Sequence, residues 1–501
     1  MRASVLRVIA AAAGLVACLC APPAGAADAI AGLSECHVAG IRNSVLCGSV
    51  RRPLDPEHAE RGSLEIRYVV VAAMARRKLA DPVFFLAGGP GQSAVALAAQ
   101  VMPLFSRLNN RRDIVFVDQR GTGGSAPLNC KDPEEETLAD QAEPERQVRQ
   151  VAQCKAALLK LPYLKAESDL GLFTTTIAVQ DLDAVRRQLG AERIDLVGGS
   201  YGTRVALEVL RQFPSTVRRS VIDGVAPPDM ALPASFSTDN QAALERLAEA
   251  CAADAACAKA HPDLHARLTA LLQSLPREVK ALHPLTGREE QFTLTRELVL
   301  GAVRGALYSP VLSAALPEAI DAAARGDYAG LIGLSATLLA RKSSRLATGM
   351  HLSVVCAEDM PRLAASADKP GADFGSAFAA MYQKLCAGWP RGAVPAAFYT
   401  LPRAGSPVLV LSGGLDPVTP PRHGERVAQA LGPMARHVVV ANAGHGVMTI
   451  GCMRDVVFRF IDAAADAEAM AVDATCAARV PRPPAFVALR SVSPKASEAV
   501  R

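Results

Sequence analysis

The stretch Ile194-Asp195-Leu196-Val197-Gly198-Gly199-Ser200-Tyr201-Gly202 decides the fold of this chain. Its first four residues form a short apolar run, and Thr203-Arg-Val-Ala-Leu-Glu-Val-Leu-Arg211 behind it has helical spacing. A strand, a Gly-x-Ser-x-Gly turn and a helix make a nucleophile elbow, with the serine on a strained backbone between glycines. The hydroxyl is held above a sheet edge, and the helix start supplies free N–H groups and a positive dipole end. Gly-x-Ser-x-Gly is common in ordinary turns; only its flanks and distant partners give it chemical meaning.

Outward from this stretch the chain alternates strands and helices. Glu65-Ile-Arg-Tyr-Val-Val-Val71, Pro82-Val-Phe-Phe-Leu86 and Asp113-Ile-Val-Phe-Val117 read as strands, the last two as short apolar runs of a parallel sheet. Residues 176–189 carry a helical stripe of Ile177, Leu182, Val185 and Leu189 that Gly190 stops. Strands return at Ser220-Val-Ile222, Pro407-Val-Leu-Val-Leu411 and His437-Val-Val-Val440, with a helix near 454–465. Between them, 227–400 is rich in alanine and leucine at helical spacing. The pattern predicts an α/β fold: a mostly parallel sheet with helices on both faces and an inserted, mostly helical cap. The expected divisions are a signal peptide (1–26), a first core part (27–226), the cap (227–400), a second core part (401–480) and an extended tail (481–501).

A serine nucleophile needs a base, and the base needs an orienting acid. Asp416 follows a strand in Leu411-Ser-Gly-Gly-Leu-Asp-Pro417, and His445 follows the last strand in Ala443-Gly-His-Gly446. Ser200, Asp416 and His445 stand in the order this kind of site requires, each at a strand end. Asp223, after the strand ending at Ile222, is the rival acid; its bland reading is a buried turn carboxylate. Donors for a developing oxyanion are expected from the N–H groups of Tyr201 and Gly89, the latter in Ala87-Gly-Gly-Pro-Gly91. Asp118, Arg120 and Ser125 in Asp118-Gln-Arg-Gly-Thr-Gly-Gly-Ser125 are expected to brace that loop.

Gly88-Gly-Pro-Gly91, Asp118-Gln-Arg-Gly-x-Gly-x-Ser125, Gly198-Gly-Ser-Tyr-Gly-Thr203, Asp223-Gly-Val225, Gly413-x-x-Asp-Pro-Val-Thr-Pro420 and Gly444-His445 occur together and in order. In them the chain resembles the α/β-hydrolase family of prolyl iminopeptidases and secreted tripeptidyl aminopeptidases, closer to the tripeptidyl branch. The resemblance runs from about Leu64 to the C-terminal region, with the cap poorly marked. It implies a serine exopeptidase acting on short peptides with a free N-terminus. Ala87 and Tyr201 depart from the histidine and tryptophan typical of prolyl iminopeptidases, and with one tryptophan in the chain no stacked proline pocket is expected. Binding a substrate ammonium calls for a carboxylate. Glu358 and Asp359, in Val354-Val-Cys-Ala-Glu-Asp359, are the expected anchor, against the plainer reading of ordinary solvated charges or structural partners of cap arginines. The same machinery would also serve a carboxylesterase or amide hydrolase, or survive unused in an exported binding protein.

Composition narrows the partners. A net charge of +5 over 501 residues, without a basic block, gives no footprint for nucleic acid or an anionic membrane. The machinery expected here needs no metal and no organic cofactor. Arg2, Arg7, the apolar run 8–19 and Ala24-Gly-Ala26 form an export signal, so the exported protein is expected in the periplasm or the medium. Leu15-Val-Ala-Cys18 alternatively reads as a lipobox that would anchor the chain to a membrane through Cys18. Beyond Cys18 and Cys20, ten of the 12 cysteines fall into neighbouring pairs. Cys36/Cys47, Cys130/Cys154, Cys251/Cys257, Cys356/Cys386 and Cys452/Cys476 are expected as disulfides in an oxidising compartment.

Overall fold

The structure is a computed structural model that describes residues 32–131, 136–339 and 346–487. The expected signal peptide and Cys18 lie outside the described residues. The strands are β1 Ser34–Cys36, β2 Val45–Pro53, β3 Ser63–Val71, β4 Val83–Leu86, β5 Ile114–Val117, β6 Ile194–Gly199, β7 Val217–Asp223, β8 Arg277–Leu282, β9 Glu289–Leu294, β10 Val408–Gly413 and β11 Ala435–Val440. Nine of them form one sheet in the order β1-β2-β3-β5-β4-β6-β7-β10-β11. β1, β2 and β3 run antiparallel at one side, and every pair from β5 to β11 in that order is parallel. The antiparallel β1–β2 extension precedes the first strand expected from the sequence.

Period-two alternation sends successive side chains of the central strands to opposite faces. Phe84, Leu86, Leu196, Val408 and Val410 enter one buried cluster, and Val83, Phe85, Val197, Leu409 and Leu411 enter the other. Helices cover both faces, so the strands are buried on each side, as a parallel sheet requires. The register aligns the carboxyl ends: Leu86 pairs with Gly198, Gly199 with Asp223, Asp223 with Leu411, and Gly413 with Val440. Every loop that matters for the site therefore leaves the sheet along one edge.

The insertion expected over 227–400 divides between two packing units. Side chains from Ala243 to Ile332 form a third cluster of their own, joined by Leu138 from before the insertion and by the antiparallel β8–β9 hairpin. Ala347, Met350, Cys356, Cys386 and Trp389 instead pack into the core on the sheet. The tail from 481 is extended as far as it is described, and it straps core to cap. Asn442 Nδ2 donates to the Val480 carbonyl at 2.8 Å, and Phe486 N–H donates to the Ala314 carbonyl at 2.8 Å.

All five expected cysteine pairs are bridged: Cys36–Cys47, Cys130–Cys154, Cys251–Cys257, Cys356–Cys386 and Cys452–Cys476. Peptide mapping without reductant should return these five local pairs, and mostly free thiols would contradict them. Replacing Cys452 and Cys476 by serine should cost about 3 kcal/mol in denaturant unfolding, since a bridge across some two dozen residues restricts the unfolded chain.

Candidate active site

Ser200 joins β6 to the helix Tyr201–Gln212 with φ 55° and ψ −125°, a region that non-glycine residues rarely adopt. What holds it there is a close backbone approach. A Cβ on Gly202 would lie 2.1 Å from the Leu86 carbonyl oxygen, so only glycine lets the elbow helix press against the end of β4. Ser200 N–H donates to the Asp223 carbonyl at 2.8 Å on the other side. The serine is thus clamped between the ends of β4 and β7. The loop leaving β4 packs on it directly: a Cβ at Gly88 would stand 3.2 Å from Ser200 Cβ. Gly89 next to it has φ +112°, the left-handed region open to glycine.

His445 comes to the same edge from the far side. Its Nδ1 lies 2.8 Å from Asp416 Oδ2, and Thr419 Oγ1 donates to the same oxygen at 2.7 Å. Asp416 Oδ1 accepts from the N–H groups of Val418 and Thr419, each at 2.9 Å. Burial alone would raise the Asp416 carboxyl. The charge and hydrogen bond of His445, with those from Thr419, outweigh burial and hold it below the usual carboxylate range. Burial depresses His445, but Asp416 opposite it prevails and leaves the imidazole above its ordinary value. His445 N–H donates to the Tyr308 carbonyl at 2.9 Å, and the Tyr308 ring meets the imidazole edge-on at 5.2 Å. The backbone just beyond β7 supports the ring: a Cβ at Gly224 would meet His445 Cε1 at 3.2 Å.

Asp223 does not bond the imidazole. Its Oδ2 accepts from Val447 N–H at 2.7 Å and Met448 N–H at 2.8 Å, and burial pushes its carboxyl up to about 6. The rival acid is a strut under the histidine loop. Asp118 braces the β4 loop as expected: Oδ1 accepts from Ser93 Oγ at 2.6 Å and Val95 N–H at 3.1 Å. Arg120 and Ser125 work elsewhere. Arg120 is buried on Asp181 and on the carbonyls of Leu54 and Leu172, and Ser125 Oγ accepts from Arg67 N–H at 2.8 Å.

Glu358 and Asp359 require a correction. Neither is open to a substrate amine, because both are completely buried on a π-helical turn, Val355–Asp359, and are taken by Arg204 of the elbow helix. Asp359 pairs with Arg204 through two bonds of 3.0 Å and also accepts from Leu232 N–H at 3.1 Å. Glu358 accepts from Thr175 N–H at 2.7 Å and Thr175 Oγ1 at 3.0 Å, with Arg204 at 3.3 Å. Thr175 Oγ1 in turn is 2.6 Å from the Tyr201 hydroxyl, which accepts from Gln119 Nε2 at 2.9 Å. Tyr201 therefore turns its ring into this buried network while its backbone stays at the helix start. The sequence showed the two carboxylates but not the arginine that occupies them.

Two carboxylates facing one guanidinium leave a negative charge in excess unless one keeps a proton. Burial raises Glu358 to about 7, against the pull of Arg204 and Thr175. A folded-state value above the ordinary 4.5 means the folded protein binds the extra proton. That contribution is complete below 4.5 and is lost as the pH rises through about 7. Glu358→Gln should flatten this part of the stability–pH profile in urea unfolding. Asp359→Asn should cost about 3 kcal/mol, the low end for breaking a buried pair, because Glu358 then ionises against Arg204. Equal effects of the two substitutions would contradict this division of charge.

A family model described as alpha/beta hydrolase fold matches residues 81–449. The chain is 30% identical to a tripeptidyl aminopeptidase of Streptomyces lividans over 37% of this chain and 36% of that protein. It is 26% identical to serine protease Hip1 of Mycobacterium tuberculosis over 57% of this chain and 58% of that one. It is 27% identical to a carboxylesterase B of Mycobacterium tuberculosis over 77% of this chain and 78% of its length. The matched stretches thus span about a third and just over half of the two peptidases. With a nine-stranded, mostly parallel sheet, a strained serine elbow and a family match over most of its length, this chain belongs to the α/β-hydrolase fold family.

Proposed function

We propose that the protein is an exported serine peptidase that cleaves short peptides near their N-terminus through an acyl-enzyme. The observation that carries this reading is the 2.8 Å pairing of His445 Nδ1 with Asp416 at the sheet edge that holds Ser200 at positive φ. Asp416 can only accept, so it fixes the Nδ1–H tautomer and leaves Nε2 as the base. Ser200 Oγ attacks the peptide carbonyl and passes its proton to His445. The N–H groups of Gly89 and Tyr201 stabilise the oxyanion. His445 then protonates the leaving amine, and water, deprotonated by the same imidazole, releases the acyl group and restores Ser200. No step calls for a metal or an organic cofactor.

Peptides as substrates are supported by the two relatives named as peptidases, and export by five disulfides, which suit an oxidising compartment. A carboxylesterase is the second reading, favoured by the longer match to carboxylesterase B. With Glu358 and Asp359 sealed under the elbow, a free substrate amine has lost the anchor the sequence suggested.

Tripeptidyl- or aminoacyl-arylamides should be cleaved, with simple aryl esters, whose leaving group is better, as the reference for bare acyl-enzyme reactivity. Comparison with the N-acetylated arylamides reads the demand for a free amine. Turnover confined to esters would establish the second reading instead. On any cleaved substrate Asp416→Asn should lower kcat by about 10³- to 10⁴-fold, from loss of the correct tautomer. Asp223→Asn, which keeps an acceptor for Val447 and Met448, should cost less than about tenfold. The reverse order would move the orienting role to Asp223.

A further inference from the structure

A contact path crosses from the histidine side of the site to the loop carrying Gly89. The cap helix Arg296–Leu307 ends at Tyr308, whose ring lies on His445. Arg304 is one helical turn earlier, on the same face as Tyr308. Its guanidinium stands over the Phe378 ring, 5.1 Å from the centroid. Phe378 packs on Tyr382 with ring centres 5.0 Å apart, and the Tyr382 hydroxyl is 2.7 Å from His351 Nε2. His351 Nδ1 is 3.1 Å from the carbonyl of Pro90, the residue after Gly89. A carbonyl only accepts, so Nδ1 carries the proton and Nε2 accepts from Tyr382. Arg304 is thereby linked to His445 through Tyr308 of its own helix, and to the Gly89 loop through Phe378, Tyr382 and His351.

Its guanidinium is unlike those buried elsewhere in the molecule. Arg204 is paired with Asp359 and Glu358, Arg120 with Asp181, and Arg219 donates to the carbonyls of Phe460, Ile461 and Ala463. Half-buried Arg304 has no carboxylate or carbonyl partner among the described residues, only the Phe378 face. A guanidinium over a ring keeps its edge donors free, and that fork matches a carboxylate bidentately. Asp416 is not available to it, since both its oxygens are held by His445, Val418 and Thr419.

We propose that Arg304 binds a carboxylate of the substrate, so that the site selects peptides carrying a negative charge close to the scissile bond. Such a carboxylate has two sources: the C-terminus of a short leaving peptide, or an Asp or Glu side chain beside the bond. The inference rests on the reading of Ser200 as the nucleophile and gives that site a charge preference.

The test compares two matched pairs in the full-length exported protein: peptides ending in a free carboxylate or its amide, and peptides with Glu or Gln next to the cleaved bond. At least one pair should favour the charged member about tenfold or more in kcat/KM, and the pair that does so names the source. Arg304→Gln should bring that ratio close to one, and Arg304→Lys should keep part of it. No preference in the wild type, or one that survives Arg304→Gln, overturns the proposal. Binding of the same peptides to Ser200→Ala protein gives a readout that needs no turnover: the charged member should bind tighter, and Arg304→Gln in that background should remove the difference. Failure of a fluorophosphonate to label Ser200 would defeat the nucleophile reading. The binding comparison would still decide Arg304.

Discussion

Arg204 is the tie on which the site's geometry depends. It sits one turn into the elbow helix, completely buried, with its charge met by Asp359 and Glu358. A buried guanidinium is tolerable only when its donors and its charge are both satisfied, so the π-helical turn carrying the two acids must stay where it is. The Cys356–Cys386 bridge leaves the same turn and fastens the helix Ala377–Ala387, which carries Phe378 and Tyr382. The strained serine is thereby coupled, through the Arg204 ion pairs and one disulfide, to the helix that carries Phe378 and Tyr382. The same tie explains why these acids serve structure: freeing either for a ligand would strand Arg204.

The sheet supplies the other half of the arrangement. Parallel strands in register bring the loops after β4, β6, β7, β10 and β11 to one edge, and close backbone contacts hold them at fixed spacing. Gly202 against Leu86 sets the serine relative to the Gly88–Gly89 loop, and Asp223 beneath Val447 and Met448 sets the height of His445. The cap reaches His445 through Tyr308, which both accepts from the His445 backbone N–H and packs on its ring. A separately packed cap can in this way carry the proposed carboxylate contact without altering the pairing of His445 with Asp416.

The placement of Ser200, Asp416 and His445 at one sheet edge was legible because each stands in a local signal. A strand must end before a glycine-rich turn, and the turn chemistry is written in adjacent residues. The five cysteine pairs were legible for the same reason, since each joins neighbours along the chain. The division of 227–400 between two cores was not, because alanine- and leucine-rich helices have the same periodicity whichever body they pack against. Arg304 was equally silent: an arginine on an amphipathic helix looks like any solvated charge until the folded cap turns it toward Phe378.

From the residues alone came the α/β order of elements, the serine elbow, its two partners and the disulfide ladder, all properties of short windows. The tertiary structure decided which carboxylates face solvent and which face an arginine. A carboxylate looks the same in sequence whether it is free or paired, and the partner of Asp359 lies 155 residues away. It also set which of Asp416 and Asp223, two acids at neighbouring strand ends, bonds the His445 imidazole and which bonds the backbone of Val447 and Met448. The proposed charge selection depends on such distant pairings, because burial and partnership, not residue type, set what an ionisable group can do.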